Sequence, residues 1–299
     1  MVDFGVEHSF AKAVERLKEH YHIEVPKTGI YRQTIQHAKK CAENLYNESS
    51  YPKVDCADQL IAQSDGSLIR VVETGSQAGG APDEDRRKHR ACDWKEVQLQ
   101  HVYRKGEVKG LFLGEVGQRQ RTGDQLQWLG DRSGMGKSTR IHGVGDGATW
   151  IQEQFDRAYG SQGSFLIDFY HLGSYLDAAA PAVAGNQTSH WLERQRKGLK
   201  ENRLQELLEE LRPHLEPESQ DDSASPVRCA HRYMTNRPGQ FDDARALAQD
   251  LPIGSGRIES AHRYVVQERL KIPGASWKPQ TAKALIDMRC LRENRQWNV

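Results

Sequence analysis

The sequence predicts an α/β fold: a mixed sheet flanked by helices, with a helical segment ahead of it and a helical insertion inside it. Three observations carry this prediction. Three stretches between Leu60 and Val116 alternate apolar and polar residues, as antiparallel strands do. Two later apolar runs, Ile141 to Val144 and Phe165 to Ile167, are each followed by a stretch with helical spacing, which adds alternating strands and helices to that sheet. Ahead of all of these, residues 9 to 45 carry the helical period.

The first helix is expected over Ser9 to His20, where Phe10, Ala13, Val14 and Leu17 recur on one side and Ser9 supplies an N-cap. A turn through Ile23 to Gly29 leads to a second, about Thr28 to Leu45, with Ile30, Ile35, Ala38 and Leu45 facing inward. Arg32, Gln33, Gln36, Lys39 and Lys40 face outward. Two helices joined this way fit a helix-turn-helix DNA reader, with Arg32, Lys39 and Lys40 on the DNA, and they fit a plain helical hairpin equally well. Residues 1–50 are therefore assigned to a helix-turn-helix-like segment and 51–299 to the sheet domain.

The strands follow over Leu60 to Val72, Lys95 to Arg104 and Val108 to Val116, with Lys105-Gly106 as the hairpin turn between the last two. Ser76 to Arg90 is a Gly-rich, then charged, loop. A helix is expected around Thr122 to Gly130. After the two apolar runs come helices at Leu172 to Ala180, His190 to Leu211 and Phe241 to Asp250, with an acidic, Pro- and Ser-rich loop from Pro213 to Pro226. This stretch makes up the helical insertion, about 178–250. Last, the Gly-rich turn Pro252-Ile253-Gly254-Ser255-Gly256 opens a helix from Ile258 to Leu270.

Composition narrows the function classes. A chain of 299 residues can hold one large or two modest domains. No apolar stretch approaches the roughly 20 residues a bilayer span needs, the mean hydropathy is −0.78, and no signal peptide follows Met1, so a cytoplasmic protein with no membrane partner is expected. Five scattered cysteines with no CxxC pair support neither a disulfide framework nor a zinc ribbon. The net charge of +1 conceals a gradient: Ser255 to the end has nine Lys/Arg against four Asp/Glu, whereas Lys200 to Asp222 has three against eight. The C-terminal segment is thus the expected polyanion contact.

Candidate chemistry rests on carboxylates. Asp146 stands where the run Ile141 to Val144 gives way to Gly145-Asp146-Gly147, and Asp168 ends the next run, with His171 three residues on. Asp65 lies in the first strand, in a Ser-Asp-Gly context, and Glu259 in the first turn of the last helix. Each has an ordinary structural reading as well. Asp caps helices and shapes turns, and Glu is favoured in a first helical turn, where Arg263 at i+4 would pair with it. The element order nevertheless matches the ribonuclease H-like fold, which carries acidic residues on its first strand, at the end of its fourth, and on a later helix. Asp65, Asp146 and Glu259 fall on those elements. Three such carboxylates would bind two Mg²⁺ or Mn²⁺ ions about 3.5–4 Å apart, the arrangement that serves phosphoryl transfer.

The motifs sharpen this. SDGS around Asp65, CDWKEVQLQHVY from Cys92, GDGATWI around Asp146, DFYH from Asp168 and PIGSGRIESAHRYVVQERLKIPGASW from Pro252 together resemble bacterial insertion-sequence transposases of the DDE class, in the broad Mutator-like group. The resemblance runs from the helical hairpin to Trp297, and its last block is the most distinctive. It implies a ribonuclease H-like catalytic core with Asp65, Asp146 and Glu259 as metal ligands, and Asp168 and His171, matching a C/D-x-x-H motif, in support. It also implies DNA partners, namely the element's terminal repeats and a target, a homo-oligomer assembled on that DNA, and residence at the nucleoid. Relatives often carry more N-terminal sequence, so a further part of the end-binding region is expected outside this chain. Two alternatives stay open: a catalytically inactive DNA-binding remnant, and a nuclease that cuts without joining.

Basic residues near the Glu259 helix, Arg257, Arg263, Arg269 and Lys271, are expected to position phosphates, whereas Trp277 is expected in the core. Arg86-Arg87-Lys88-His89-Arg90 is either a backbone contact or a solvated basic run. His142, His171 and His262 lack metal-ligand spacing and are assigned core or surface roles. GDRSGMGKST at Gly130 to Thr139 mimics a phosphate-binding loop, but Asp131 stands where the first Gly belongs. It also precedes a strand where such a loop would open a helix.

Overall fold

The computed structural model describes residues 1–47, 51–74 and 90–297. Its strands, β1 (Gln59–Thr74), β2 (Arg90–Arg104), β3 (Leu111–Val116), β4 (Arg140–Gly145) and β5 (Gly163–Ile167), form one five-stranded mixed sheet in the order β3-β2-β1-β4-β5. The α/β class with flanking helices is as expected. Contacts divide the chain into two units. The first holds Met1–Leu60, Ser64–Thr139 and Arg257–Val299; the second holds Ile61–Gln63 and Arg140–Gly256. The N-terminal helices cluster with the first unit.

In the first unit β2 and β3 pair antiparallel, Val97 opposite Val116 through Val102 opposite Leu111. The expected turn is present: Gly106 adopts φ +84°, which its missing side chain permits, and the Glu107 N–H donates to the Arg104 carbonyl at 3.0 Å. The strand resumes at Leu111, three residues later than the alternation suggested. Helix α4 (Thr122–Arg132) packs on β2, and α13 (Pro279–Glu293), which the sequence reading did not anticipate, packs on β3 and on α3 (Lys27–Leu45). Asn294, just past α13, accepts from the Phe112 N–H at 2.7 Å and donates to its carbonyl at 3.0 Å, tying that helix end to β3. Trp277 is core, as expected. It pairs with β1 at Val71, and its indole N–H donates to the Leu270 carbonyl at 2.8 Å.

Short helix α1 (Val2–Glu7) and α2 (Phe10–Tyr21) complete this unit's N-terminal part, with Ser9 capping α2 by accepting from the Lys12 N–H. Ala13, Leu17 and Ile30 form a small core with Phe4, Phe10, Val14 and Val25 around it.

In the second unit β4 and β5 run parallel, Ile141 opposite Gly163 through Gly145 opposite Ile167. Parallel strands need a crossover, and α5 (Thr149–Tyr159) supplies it. Helices α6 (Phe169–Ala184), α7 (Thr188–Lys200), α8 (Leu204–Leu211), α9 (Pro226–Thr235) and α10 (Asp243–Ala248) follow with no strand among the described residues. The helical stretch expected over 190–211, whose leucines suggest a packed helix pair, is two helices, α7 and α8, separated where Asn202 takes a left-handed conformation at φ +59° that interrupts the helical hydrogen bonds. α6 packs on α7 and α9. Among the described residues no helix is long and apolar enough to cross a membrane.

Candidate active site

Asp65 lies in β1 of the first unit, half-buried, with Oδ1 accepting from the Gly66 N–H at 2.7 Å. Glu259 and His262 are three residues apart on one helical run: α11 (Gly256–Ala261), a π-helical stretch over His262–Gln267, and the closing turn α12 (Glu268–Leu270). Such spacing makes the two side chains neighbours on the helix surface. Glu259 is exposed and in the first turn, where the helix dipole favours an acid. His262 is 1% exposed, and its Nε2 lies 2.9 Å from the Asp65 carbonyl oxygen and 3.7 Å from Asp65 Oδ2.

Burial lowers the His262 pKa, and the neighbouring Asp65 charge only partly opposes that. A neutral imidazole beside a carbonyl oxygen must carry its proton on Nε2, so His262 donates to Asp65. Its Nδ1 is buried without a hydrogen-bond partner among the described residues. The default expectation for His262 was a core or surface role; the structure makes it the residue that holds the Asp65 backbone.

In the second unit Asp146 follows β4. Its Oδ1 accepts from the Ala148 N–H at 2.9 Å, so the ordinary turn role is real. Its Oδ2 makes no hydrogen bond among the described residues. The turn is fixed from α9 and the residues after it: the Tyr233 hydroxyl donates to the Asp146 carbonyl at 2.7 Å, and Arg237 donates to the Gly147 carbonyl through Nε at 2.9 Å and Nη2 at 2.7 Å. The Arg237 guanidinium lies 4.0 Å over the Tyr233 ring, and Tyr175 stacks on that ring at 4.2 Å. Gly147 has φ +77°, and a Cβ there would meet Arg237 Nε at 2.7 Å and the Tyr233 hydroxyl at 2.8 Å. Burial, together with the charges of Asp146 and Asp168, pushes the Tyr233 phenol pKa far up despite Arg237, so it stays a donor.

Tyr233 and Arg237 fall between the expected loop ending at Pro226 and the expected helix beginning at Phe241, a stretch to which the sequence pattern assigned no element. The signal was available: Pro226 sits at the first helical position, and Val227, Ala230 and Met234 recur at helical spacing.

Asp168, 1% exposed, is the N-cap of α6. Its Oδ1 accepts from the Tyr170 and His171 N–H groups at 2.7 and 2.9 Å, and its Oδ2 from the Ser255 N–H at 2.5 Å and the Ser255 hydroxyl. The carboxylate is thus committed to four donors, and it clasps the Gly254-Ser255 turn just before α11. Gln63 donates to the Gly254 carbonyl from the same unit at 3.2 Å, and a Cβ on Gly254 would strike the Tyr170 ring at 2.7 Å. His171 is exposed and lies against Tyr175 and Tyr233, ring centroids 5.7 and 5.9 Å away.

Among the expected DNA contacts, Arg32, Lys39 and Lys40 are exposed on α3, and Lys271 is exposed after α12. Arg263 is exposed and 3.8 Å from Glu268. Arg257, although exposed, is engaged: its guanidinium lies 4.2 Å over the Tyr103 ring and donates to the Glu107 carbonyl at 2.8 Å. Arg269 corrects the expectation outright. It is fully buried between the Phe10 and Trp277 rings, 4.7 and 4.8 Å away, and donates to the Gly5 carbonyl at 3.0 and 3.2 Å, so its charge serves the core and is not presented to a ligand. Arg86 to His89 fall outside the described residues.

The donor chemistry at Asp65, Asp146 and Glu259, hard carboxylate oxygens, fits Mg²⁺ or Mn²⁺. Among the described residues, however, no group of three or more His, Cys, Asp or Glu side chains is gathered so as to hold a metal ion.

Fold and site together define an α/β protein with a five-stranded mixed sheet and acidic residues on a central strand, after a parallel strand, and on the helix behind a Gly-Ser-Gly turn. Residues 123–297 match the profile of the uncharacterised protein family UPF0236, and the chain belongs to that family. No curated protein matches it.

Proposed function

We propose that the chain is a DDE-type transposase that cleaves DNA at the ends of an insertion sequence and joins the freed 3′ end to target DNA, working as a homo-oligomer assembled on that DNA. The observation that carries this reading is the distribution of the three acids: Asp65 on β1, Asp146 after β4 and Glu259 in the first turn of α11, the elements on which the ribonuclease H-like order puts its carboxylates. Asp65, Asp146 and Glu259 would hold Mg²⁺ or Mn²⁺. When bound, the metal supplies a water of lowered pKa and a Lewis acid for the phosphodiester.

The remaining contributions come from the chain itself. His262 fixes the backbone of Asp65 through its carbonyl. Tyr233 and Arg237 hold the turn that carries Asp146. Asp168 pins Ser255, the residue before α11. These are positioning roles, and positioning within a fraction of an ångström is what in-line phosphoryl transfer requires.

The second reading is a catalytically inactive DNA-binding remnant. In it the helical hairpin would recognise element ends and the sheet would serve as scaffold.

An end-cleavage and strand-transfer assay on the element's terminal DNA, with and without Mg²⁺, separates the two. The transposase reading expects Mg²⁺-dependent cleavage and joining, lost in Asp65→Ala, Asp146→Ala and Glu259→Ala while DNA binding survives. Normal cleavage by Asp146→Ala rejects the assignment. Binding without cleavage in the wild type establishes the remnant, and cleavage without joining leaves a nuclease.

A further inference from the structure

On the first unit, beside the strand of Asp65, lies a groove of about 640 Å³ that none of the roles above uses. Leu68 and Arg70 of β1 and Trp94 of β2 form one side. Lys271, Ile272 and Pro273, following α12, form the other, over a floor that includes buried Leu270. Two features separate it from an ordinary surface depression. Trp94 is 61% exposed and Leu68 52%, adjacent apolar groups left in water, and Trp94 makes no ring contact among the described residues. Beside them stand two cations, Arg70 and Lys271, both exposed and neither in an ion pair among the described residues. The nearest acid in sequence, Asp93, is turned to its own strand, accepting from the Trp94 N–H at 2.8 Å.

An open indole sharing a groove with two exposed cations is complementary to a polynucleotide single strand. The ring offers a face for one unpaired base, and the cations take the phosphates on either side. A duplex fits less well, since its bases are already stacked and their faces are closed to the indole. A protein partner would satisfy the apolar groups but would leave Arg70 and Lys271 needing acids at matching positions. Location agrees with the strand reading. Leu68 is three residues from Asp65 along β1, roughly 10 Å at the strand rise.

We propose that this groove binds single-stranded DNA next to the cleavage point, with one base stacked on Trp94 and the flanking phosphates on Arg70 and Lys271. The assignment to cleaved DNA rests on the transposase reading; the affinity for a single strand does not.

The test is equilibrium binding of the full chain to a fluorescent single-stranded DNA oligonucleotide, a blunt duplex of the same sequence and an RNA strand of the same sequence. Trp94→Ala, at an exposed position where the fold should tolerate it, is expected to weaken the single strand about tenfold and to change duplex binding less than twofold, with Trp94→Phe restoring most of the loss. Arg70→Ala and Lys271→Ala should each reduce the slope of log affinity against log salt by about 0.7. Single-strand affinity within twofold of wild type in Trp94→Ala overturns the proposal, as does equal weakening of strand and duplex. A preference for RNA over DNA overturns the assignment to cleaved DNA. If the Trp94 effect is found in a protein that never cleaves its element ends, the groove stands and the transposase reading falls.

Discussion

Replacing Asp168 separates a clasp from a metal ligand, because the two roles predict opposite balances of stability and activity. The side chain is 1% exposed and satisfies four donors, two in the first turn of α6 and two on Ser255. Asp168→Ala removes the helix cap, a loss of about 0.5–2 kcal/mol. It also strands the buried Ser255 N–H and hydroxyl, and each buried donor left unsatisfied costs about 1–3 kcal/mol, less what the hydroxyl recovers by rotating. A destabilisation of about 3–4 kcal/mol follows, large against a typical total of about 5–15 kcal/mol. Asp168→Asn should cost less, because its amide oxygen can still accept from the Tyr170 and His171 N–H groups. Its NH₂ group would then face the Ser255 N–H, donor against donor, so the loss does not vanish. Urea unfolding followed by circular dichroism and tryptophan fluorescence, with and without Mg²⁺, is the assay. An unfolding free energy for Asp168→Ala within about 1 kcal/mol of wild type refutes the clasp. Stability that depends on Mg²⁺ in the wild type and not in the variant transfers the residue to the metal site.

Two further outcomes are expected. Asp243, buried at the start of α10, has its carboxyl pKa raised from 3.8 to about 7, first by burial and then by the charge of Asp242, with Lys200 opposing. A raised carboxyl favours the folded state fully below pH 4, where both states are protonated, and that contribution is lost as pH rises through 7. Asp243→Asn should therefore be the more stable protein at pH 8, by up to about 4 kcal/mol, and indistinguishable from wild type below pH 4. Urea midpoints from pH 4 to 8 check this, and a constant difference across that range refutes it. Arg269→Met removes the donor from the Gly5 carbonyl and the cation between Phe10 and Trp277, so it should destabilise the chain by about 1–3 kcal/mol while DNA affinity of the folded protein is unchanged. Lost affinity at full stability would return Arg269 to the DNA surface.

What the sequence made legible was local, and what it hid was long-range. The alternation in β2 and β3, the Gly106 turn, and the Gly-Asp-Gly end of β4 are written in neighbouring residues, so they could be read directly. α13 could not be found by a polar face. Leu285, Ile286, Asp287, Met288, Arg289, Cys290 and Leu291 are all buried, and a helix buried all round shows no amphipathic period. The break at Asn202 depends on one residue adopting a left-handed conformation inside a Leu-rich stretch that otherwise has the right spacing.

The same limit governs the candidate site. An Asp that ends a strand reads identically as a cap and as a ligand. Asp168 becomes a clasp only through Ser255, which is 87 residues away, and Arg269 becomes a core residue only through Gly5, 264 residues away. A residue's chemical type limits what it can do, but which of those things it does is decided by partners that the chain delivers from elsewhere. The basic C-terminal gradient illustrates the consequence. It was read as one polyanion surface, yet within it Arg269 serves packing, Arg257 is held by Tyr103 and Glu107, and Lys271 alone of the three stands open beside Trp94. Charge counted along a chain therefore overstates the charge a ligand meets, and phosphate contacts are to be sought where a cation lacks an internal partner.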